Sequence, residues 1–202
     1  MASRTVGSPQ IRARGTLGGN LGSASPAGDA HPVLLASDAV VEVASVAGSR
    51  RIPAAHFFTG VKRSALRPDE LIAAVAVPTG TGPQQFAKIG TRNAMVIAVA
   101  SFGLTLFPEE QRVGAAFGSA APTPRHAERA EEFLGGALAE GDLWSSRAPL
   151  PETVATRFGD LVAADTAPID DVRGTAAYRR HALSVLARRT LGWAWDDYRK
   201  GA

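Results

Sequence analysis

The chain of 202 residues contains no cysteine. That excludes disulfides, thiolate zinc sites and thiol nucleophiles, and it leaves nothing here to ligate an iron–sulfur cluster. Its four histidines, His31, His56, His126 and His181, include no pair at a helical ligand spacing, so a metal site is not expected. No apolar run reaches the roughly 18 residues a membrane span requires. The opening Met1-Ala-Ser-Arg-Thr-Val lacks the apolar stretch of a signal peptide, which makes a cytoplasmic location the expectation. The formal charge is only +3. Basic residues gather at Arg12 and Arg14, Arg50-Arg51, Arg179-Arg180 and Arg188-Arg189, without interleaved aromatics. They read as solvated faces or subunit contacts, not as a nucleic-acid interface.

What is present is an ordinary globular composition, 45% hydrophobic and 20% charged, on a chain long enough for one good core or two small ones. The first thirty residues are rich in Gly, Ser and Pro and show neither a helical nor a strand period. A short helix is expected over Pro32–Ser37, with Pro in its first turn. Ala39–Ser45 reads as a strand turning back at Ala47-Gly-Ser49 toward Arg51-Ile-Pro, and Glu70–Val77 as another, stopped by Pro78. Thr79–Pro83 has linker composition. Beyond it, Gln85–Gly90 is a short strand candidate. Val96–Phe107 is a longer one, paired with Gln111–Phe117 across Pro108-Glu-Glu. Three helices follow, over Pro124–Leu134, Leu150–Ala164 and Thr175–Trp193, with Thr123 or Thr175 as caps. Strands followed by helices predict an α+β fold in two lobes, 1–80 and 84–193.

The stretch richest in chemistry is Gly15-Thr16-Leu17-Gly18-Gly19-Asn20. Gly18 and Gly19 can take backbone angles closed to other residues and let main-chain N–H groups approach a ligand. Consecutive N–H groups make an anion nest, to which a Thr hydroxyl and an Asn amide add neutral donors. Neither the P-loop nor the Rossmann spacing is present, so taken alone the loop reads more readily as a surface turn.

The wider context is more specific. Ile11-Arg-Ala-Arg-Gly-Thr-Leu-Gly-Gly-Asn20 followed by Ala24-Ser-Pro-Ala-Gly-Asp29 resembles the second flavin-binding motif of molybdenum hydroxylase flavoprotein subunits. This is the family of the xanthine dehydrogenase and carbon monoxide dehydrogenase medium subunits. The resemblance continues through Phe57-Phe-Thr-Gly60, Leu66–Ile72 and Phe86-Ala-Lys88. It ends on Ala167–Gly174 with Tyr178-Arg179. Ala13 departs from the pattern, which commonly has Asn there.

The resemblance implies the second half of a vanillyl-alcohol-oxidase-type FAD-binding domain, then a C-terminal domain with a small antiparallel sheet and a helical bundle. It carries FAD-binding roles onto Thr16, Leu17, Gly18, Gly19 and Asn20 at the diphosphate. Asp29 becomes a hydrogen-bond acceptor, Ile72 a neighbour of the isoalloxazine ring and Lys88 a cation near the flavin. Each of the last three has a plain structural reading beside it: an Asx-type turn, a core strand residue and an exposed strand lysine. Asp170, Asp171 and Arg173 read as a lock on the start of the last helix more than as flavin contacts, and Arg12 and Arg14 are left unassigned.

Function by resemblance is an oxidoreductase subunit that relays electrons from iron–sulfur clusters, through FAD, to NAD or another acceptor. The molybdenum cofactor and [2Fe-2S] clusters belong to partner subunits. Such proteins also carry a preceding lobe with its own glycine-rich loop. The chain starts almost at the second motif, so an N-terminally truncated flavoprotein is expected. The missing lobe would come from a neighbouring chain or have been lost to a misplaced start. The alternative is a flavin-free remnant acting only as a subunit-interaction domain.

Overall fold

The computed structural model describes residues 2–80 and 82–201, so Thr81 of the expected linker lies outside the described residues. β1 (Val40–Ser45) is the centre of the first layer. Val41 and Val43 point into the core while Val40, Glu42 and Ala44 alternate outward. β1 pairs antiparallel with β2 (Gly48–Pro53) on one side and with β5 (Leu71–Ala76) on the other. The β1–β2 connection is a two-residue turn in which Ser45 faces Gly48, and Gly48 takes φ +136°, a conformation that favours glycine. A two-stranded ribbon of β3 (Phe58–Gly60) and β4 (Arg63–Ser64) lies between them in sequence. Glu70, from the Leu66–Ile72 motif, accepts both Nε and Nη2 of Arg50 and the N–H of Arg67. Those donors hold its carboxyl down at about 2 and tie the loop before β5 to β2.

The second layer is an antiparallel sheet in the order β6 (Gln84–Ile89), β7 (Ala100–Phe107), β8 (Arg112–Gly118), β9 (Arg125–His126). Its two faces differ in side-chain size. Phe102, Leu104 and Leu106 of β7, with Val113, Ala115 and Phe117 of β8, join the core built with the helices α4 (Glu128–Glu140), α6 (Glu152–Ala164) and α7 (Ala176–Lys200). There Phe102 meets Phe158 edge-on at 6.1 Å, and Trp144 of the short α5 (Leu143–Ser146) packs with Trp195 and Tyr198.

The opposite face presents Ser101, Gly103 and Thr105, then Gly114, Ala116 and Gly118, all buried. Onto it lies α3 (Ala30–Ala36). The approach is backbone-close: a Cβ on Gly103 would stand 2.9 Å from the Pro32 carbonyl, and one on Gly114 would overlap the Ala36 carbonyl oxygen. Here glycine is required by proximity rather than by backbone angle. The helix also contributes Leu34, Leu35 and Ala36 to the first layer's core.

The fold is α+β, as the residue pattern predicts, with specific departures. The first thirty residues hold a 3-10 turn (Ala2–Thr5) and two helices, α1 (Pro9–Arg14) and α2 (Leu17–Gly22). Six residues are under two turns, too few to show a period, although Ser8 and Thr16 cap them through N–H groups of Ile11 and Gly19. β7 begins at Ala100, not Val96. It is buried on both faces, so its apolar run marks burial and not the strand's limits. The first late helix begins at Glu128, because Arg125 and His126 are used in β9 and Thr123 caps nothing. Thr175 does cap α7, accepting from the Tyr178 N–H, and that helix runs on to Lys200 before Gly201 ends it in the left-handed region.

Substituting Gly114→Ala is expected to cost about 3 kcal/mol, at the upper end of overpacking penalties, because the atom it strikes is backbone. Urea unfolding measures this, and a midpoint equal to the parent's would refute the close docking of α3.

Candidate functional site

Thr16 is not part of an open loop. It is the N-cap of α2, with Oγ1 accepting from the Gly19 N–H at 2.9 Å. Gly18 and Gly19 hold helical backbone angles, so the expectation that they adopt angles closed to other residues is corrected. Their smallness serves packing instead. A Cβ on Gly18 would lie 3.7 Å from Ile72, in ordinary contact, while one on Gly19 would press at 3.1 Å on the Thr16 hydroxyl that caps the turn.

Capping spends one N–H and leaves others. Leu17 and Gly18, in the first turn, have no intrahelical acceptor for their N–H groups. The Thr16 hydroxyl, while accepting from Gly19, keeps its own proton to donate. Asn20 adds a different group: its Oδ1 is buried and has no hydrogen-bond partner.

Two cavities meet at this turn. One of about 370 Å³ is walled by Ile11, Arg12, Thr16, Leu17 and Asn20. The other, about 630 Å³, is walled by Asn20, Gly28 and Asp29 on the first layer's side and by Ser119, Asp171 and Arg173 on the other. Val6 and Asn20 belong to both. Gly18, Gly19, Ile72 and Lys88 line neither, although Ile72 supports α2 from beneath and Lys88 reaches the second cavity through its partner.

That partner is Asp29. Lys88 on β6 bonds Asp29 Oδ2 at 2.5 Å and the carbonyls of Thr5 and Val96 at 2.8 and 3.2 Å. The Thr5 hydroxyl also donates to Oδ2, at 3.0 Å. Both side chains are largely buried, 12% and 6% exposed, so Lys88 is not the exposed strand lysine that its plain reading allowed. Burial raises the Asp29 carboxyl, while Lys88 and Thr5 pull it back toward ionisation. Asp29 sits at the N-cap of α3 but makes no side-chain cap bond. Its carboxylate is turned to the lysine, and both recorded bonds fall on one oxygen.

On the far wall Asp170 accepts from the Ala176 N–H at 2.5 Å. Asp171 takes the backbone and side chain of Arg173 and the guanidinium of Arg179, and the Arg173 N–H leads in holding it at about 2. Arg179 is buried and also donates to the carbonyls of Val99 and Ser119. These residues do lock the start of α7, and Asp171, Arg173 and Arg179 line the larger cavity as well. Arg12 is spent on the carbonyls of Val6 and Gly7. Two contributors escaped the sequence reading. They are Thr5, which no motif marks, and His31, whose only signal was a histidine two residues after a motif aspartate.

Residues 1–80 match the family described as "FAD binding domain in molybdopterin dehydrogenase", and residues 85–194 match "CO dehydrogenase flavoprotein C-terminal domain". The chain belongs to the FAD-binding medium-subunit family of molybdenum hydroxylases. Within that family it is 34% identical over 196 residues to the nicotine 6-hydroxylase medium subunit of Paenarthrobacter nicotinovorans, covering 94% of this chain and 64% of that protein. It is 30% identical over 200 residues to the carbon monoxide dehydrogenase medium chain of Afipia carboxidovorans, covering 94% and 63%. A solved Cu,Mo-CO dehydrogenase superposes with a TM-score of 0.82 at 27% identity, over 100% of this chain and 66% of that one. The chain thus spans just under two thirds of the length of these relatives. Among the described residues no group of three or more histidines or carboxylates is placed to hold a metal, and no helix is long and apolar enough to cross a membrane.

Lys88→Met would leave the Asp29 carboxylate buried without its cation, a loss of about 3–5 kcal/mol. The double variant Asp29→Asn/Lys88→Met should recover part of that loss. Urea unfolding of these two and of Asp29→Asn alone closes the cycle and measures the coupling, and additive losses would show that the pair does not act as a unit.

Proposed function

We propose that this medium-subunit family member binds FAD at the α2 turn and serves as the flavin-carrying part of a molybdenum hydroxylase. The observation that carries the reading is the unsatisfied polar group at the shared wall. Asn20 Oδ1 is buried without a partner, next to the unspent N–H groups of Leu17 and Gly18. A native structure leaves few buried polar atoms unpaired, and this one stands where two cavities meet, in reach of a ligand.

The residues fit such a cofactor. Leu17 and Gly18 offer N–H groups, and Thr16 a hydroxyl, at the positive end of a helix turn, where a diphosphate is stabilised. Gly19 completes the turn by donating to Thr16. Asp29 Oδ1 has capacity to accept from cofactor hydroxyls, and Ile72 holds α2 at the depth the two cavities require. Lys88 pulls Asp29 toward ionisation against its burial, which favours that acceptor. When bound, FAD supplies a two-electron carrier between iron–sulfur clusters and NAD or another acceptor. Clusters need thiolates and this chain has no cysteine, so [2Fe-2S] clusters are assigned to a partner subunit, and the family likeness assigns the molybdenum cofactor to another. In this reading residues 1–80 form the cofactor-facing unit and 84–193 the unit that backs it and closes the larger cavity.

The test is the visible absorbance of oxidised flavin in the purified chain, prepared alone and co-expressed with candidate molybdenum and iron–sulfur subunits. The yellow flavin spectrum in either preparation is the expected result, and two colourless preparations would sink the proposal.

A further inference from the structure

The α2 turn has only six residues, and a helix so short is not stable by itself. Something must hold its far end. Its start is fixed by the Thr16 cap. Its end is held through the Asn20 carbonyl, which accepts from Ser23 Oγ at 2.7 Å and lies 3.1 Å from Nε2 of His31 on α3. His31 is itself immobilised. It is fully buried, tilted against Phe58 with ring centroids 4.5 Å apart, and packed so tightly on Gly28 that a Cβ there would overlap its ring. Burial pushes the imidazole toward the neutral form, against the backbone of Asn20 and Ser25. A neutral ring whose Nε2 faces a carbonyl oxygen must carry its proton on that nitrogen.

We propose that His31, as the Nε2–H tautomer, is a positioning residue that holds the Asn20 backbone so that its side-chain oxygen stays unpaired at the junction of the two cavities. This inference rests on the FAD reading above and refines it. Oδ1 is an acceptor, and so are diphosphate oxygens. The cofactor group that Asn20 Oδ1 takes is therefore a hydroxyl or N–H, while the diphosphate is left to the N–H groups of Leu17 and Gly18. Released from His31, the Asn20 side chain is free to turn onto neighbouring backbone, as asparagines outside firm structure do.

The experiment compares parent, His31→Leu and His31→Gln, made in whichever preparation carries flavin, by FAD titration after removal of bound flavin. Leucine keeps apolar bulk without a donor; glutamine keeps an N–H at similar reach. FAD affinity is expected to fall roughly tenfold in His31→Leu, the worth of a held hydrogen bond in a buried site, and to stay within about threefold of the parent in His31→Gln. Equal affinity in all three, or equal loss in both variants, overturns the inference. A second readout needs no variant: nitrogen-15 NMR of the parent should show His31 with a protonated Nε2 and a bare Nδ1, and the reverse tautomer overturns it too. A parent that takes up no FAD in any preparation fails the flavin reading itself, a result distinct from a parent that binds FAD alongside an indifferent His31→Leu.

Discussion

The structure depends on one close approach, that of α3 to the glycine-lined face of β7 and β8. Gly103 and Gly114 let helix backbone meet strand backbone with no side chain between. Large residues at those positions would push the helix outward by more than an ångström, since interiors are packed too densely to absorb the volume elsewhere. The same helix closes the first layer's core through Leu34, Leu35 and Ala36. It is therefore shared by both layers, which have otherwise separate hydrophobic clusters.

From that placement the site follows. Asp29 precedes α3 and His31 lies in its first turn, so docking the helix against β7 carries both to fixed positions. Lys88 is opposite Ser101 in the β6–β7 ladder, which sets it beside Asp29 and gives the carboxylate the cation its burial demands. His31 in turn reaches back to α2, whose Gly18 rests against Ile72 of β5. The chain of contacts runs from two strand glycines to one unpaired carboxamide oxygen. It leaves a buried acceptor without a donor at the junction of the two cavities, and the backbone on either side of it is held by Thr16 and His31. The cofactor site proposed above, held in this way, would spend little on ordering when its ligand arrives.

Much of the architecture is legible from local pattern. The β-branched run at Val40–Val43, the stop at Pro78, the Pro108-Glu-Glu turn and the Thr175 cap each act within a few residues, and strands and caps lie close to where those residues predict. The N-terminal helices were hidden by brevity, and the true meaning of Gly18 by distance. Gly18 faces Ile72, more than fifty positions away, and no local rule conveys that, whereas Gly19 answers to the nearby Thr16 hydroxyl. Asp29 and Lys88 were each marked by resemblance, but their pairing arises only when α3 meets β6. His31 carried only its place two residues after Asp29, because a buried histidine is identified by its neighbours in space. Family membership was carried by ordered motifs, and the family matches over 1–80 and 85–194 agree with it.

In the proposed function, the α2 turn and the start of α3 together form a prepared cofactor surface. Hydrogen–deuterium exchange of the protein with and without FAD tests this most directly. Slower exchange confined to residues 16–22 and 28–31, with α6 and α7 unchanged, is the predicted result. Protection that appears on α6 or α7 and leaves the α2 turn untouched would contradict it.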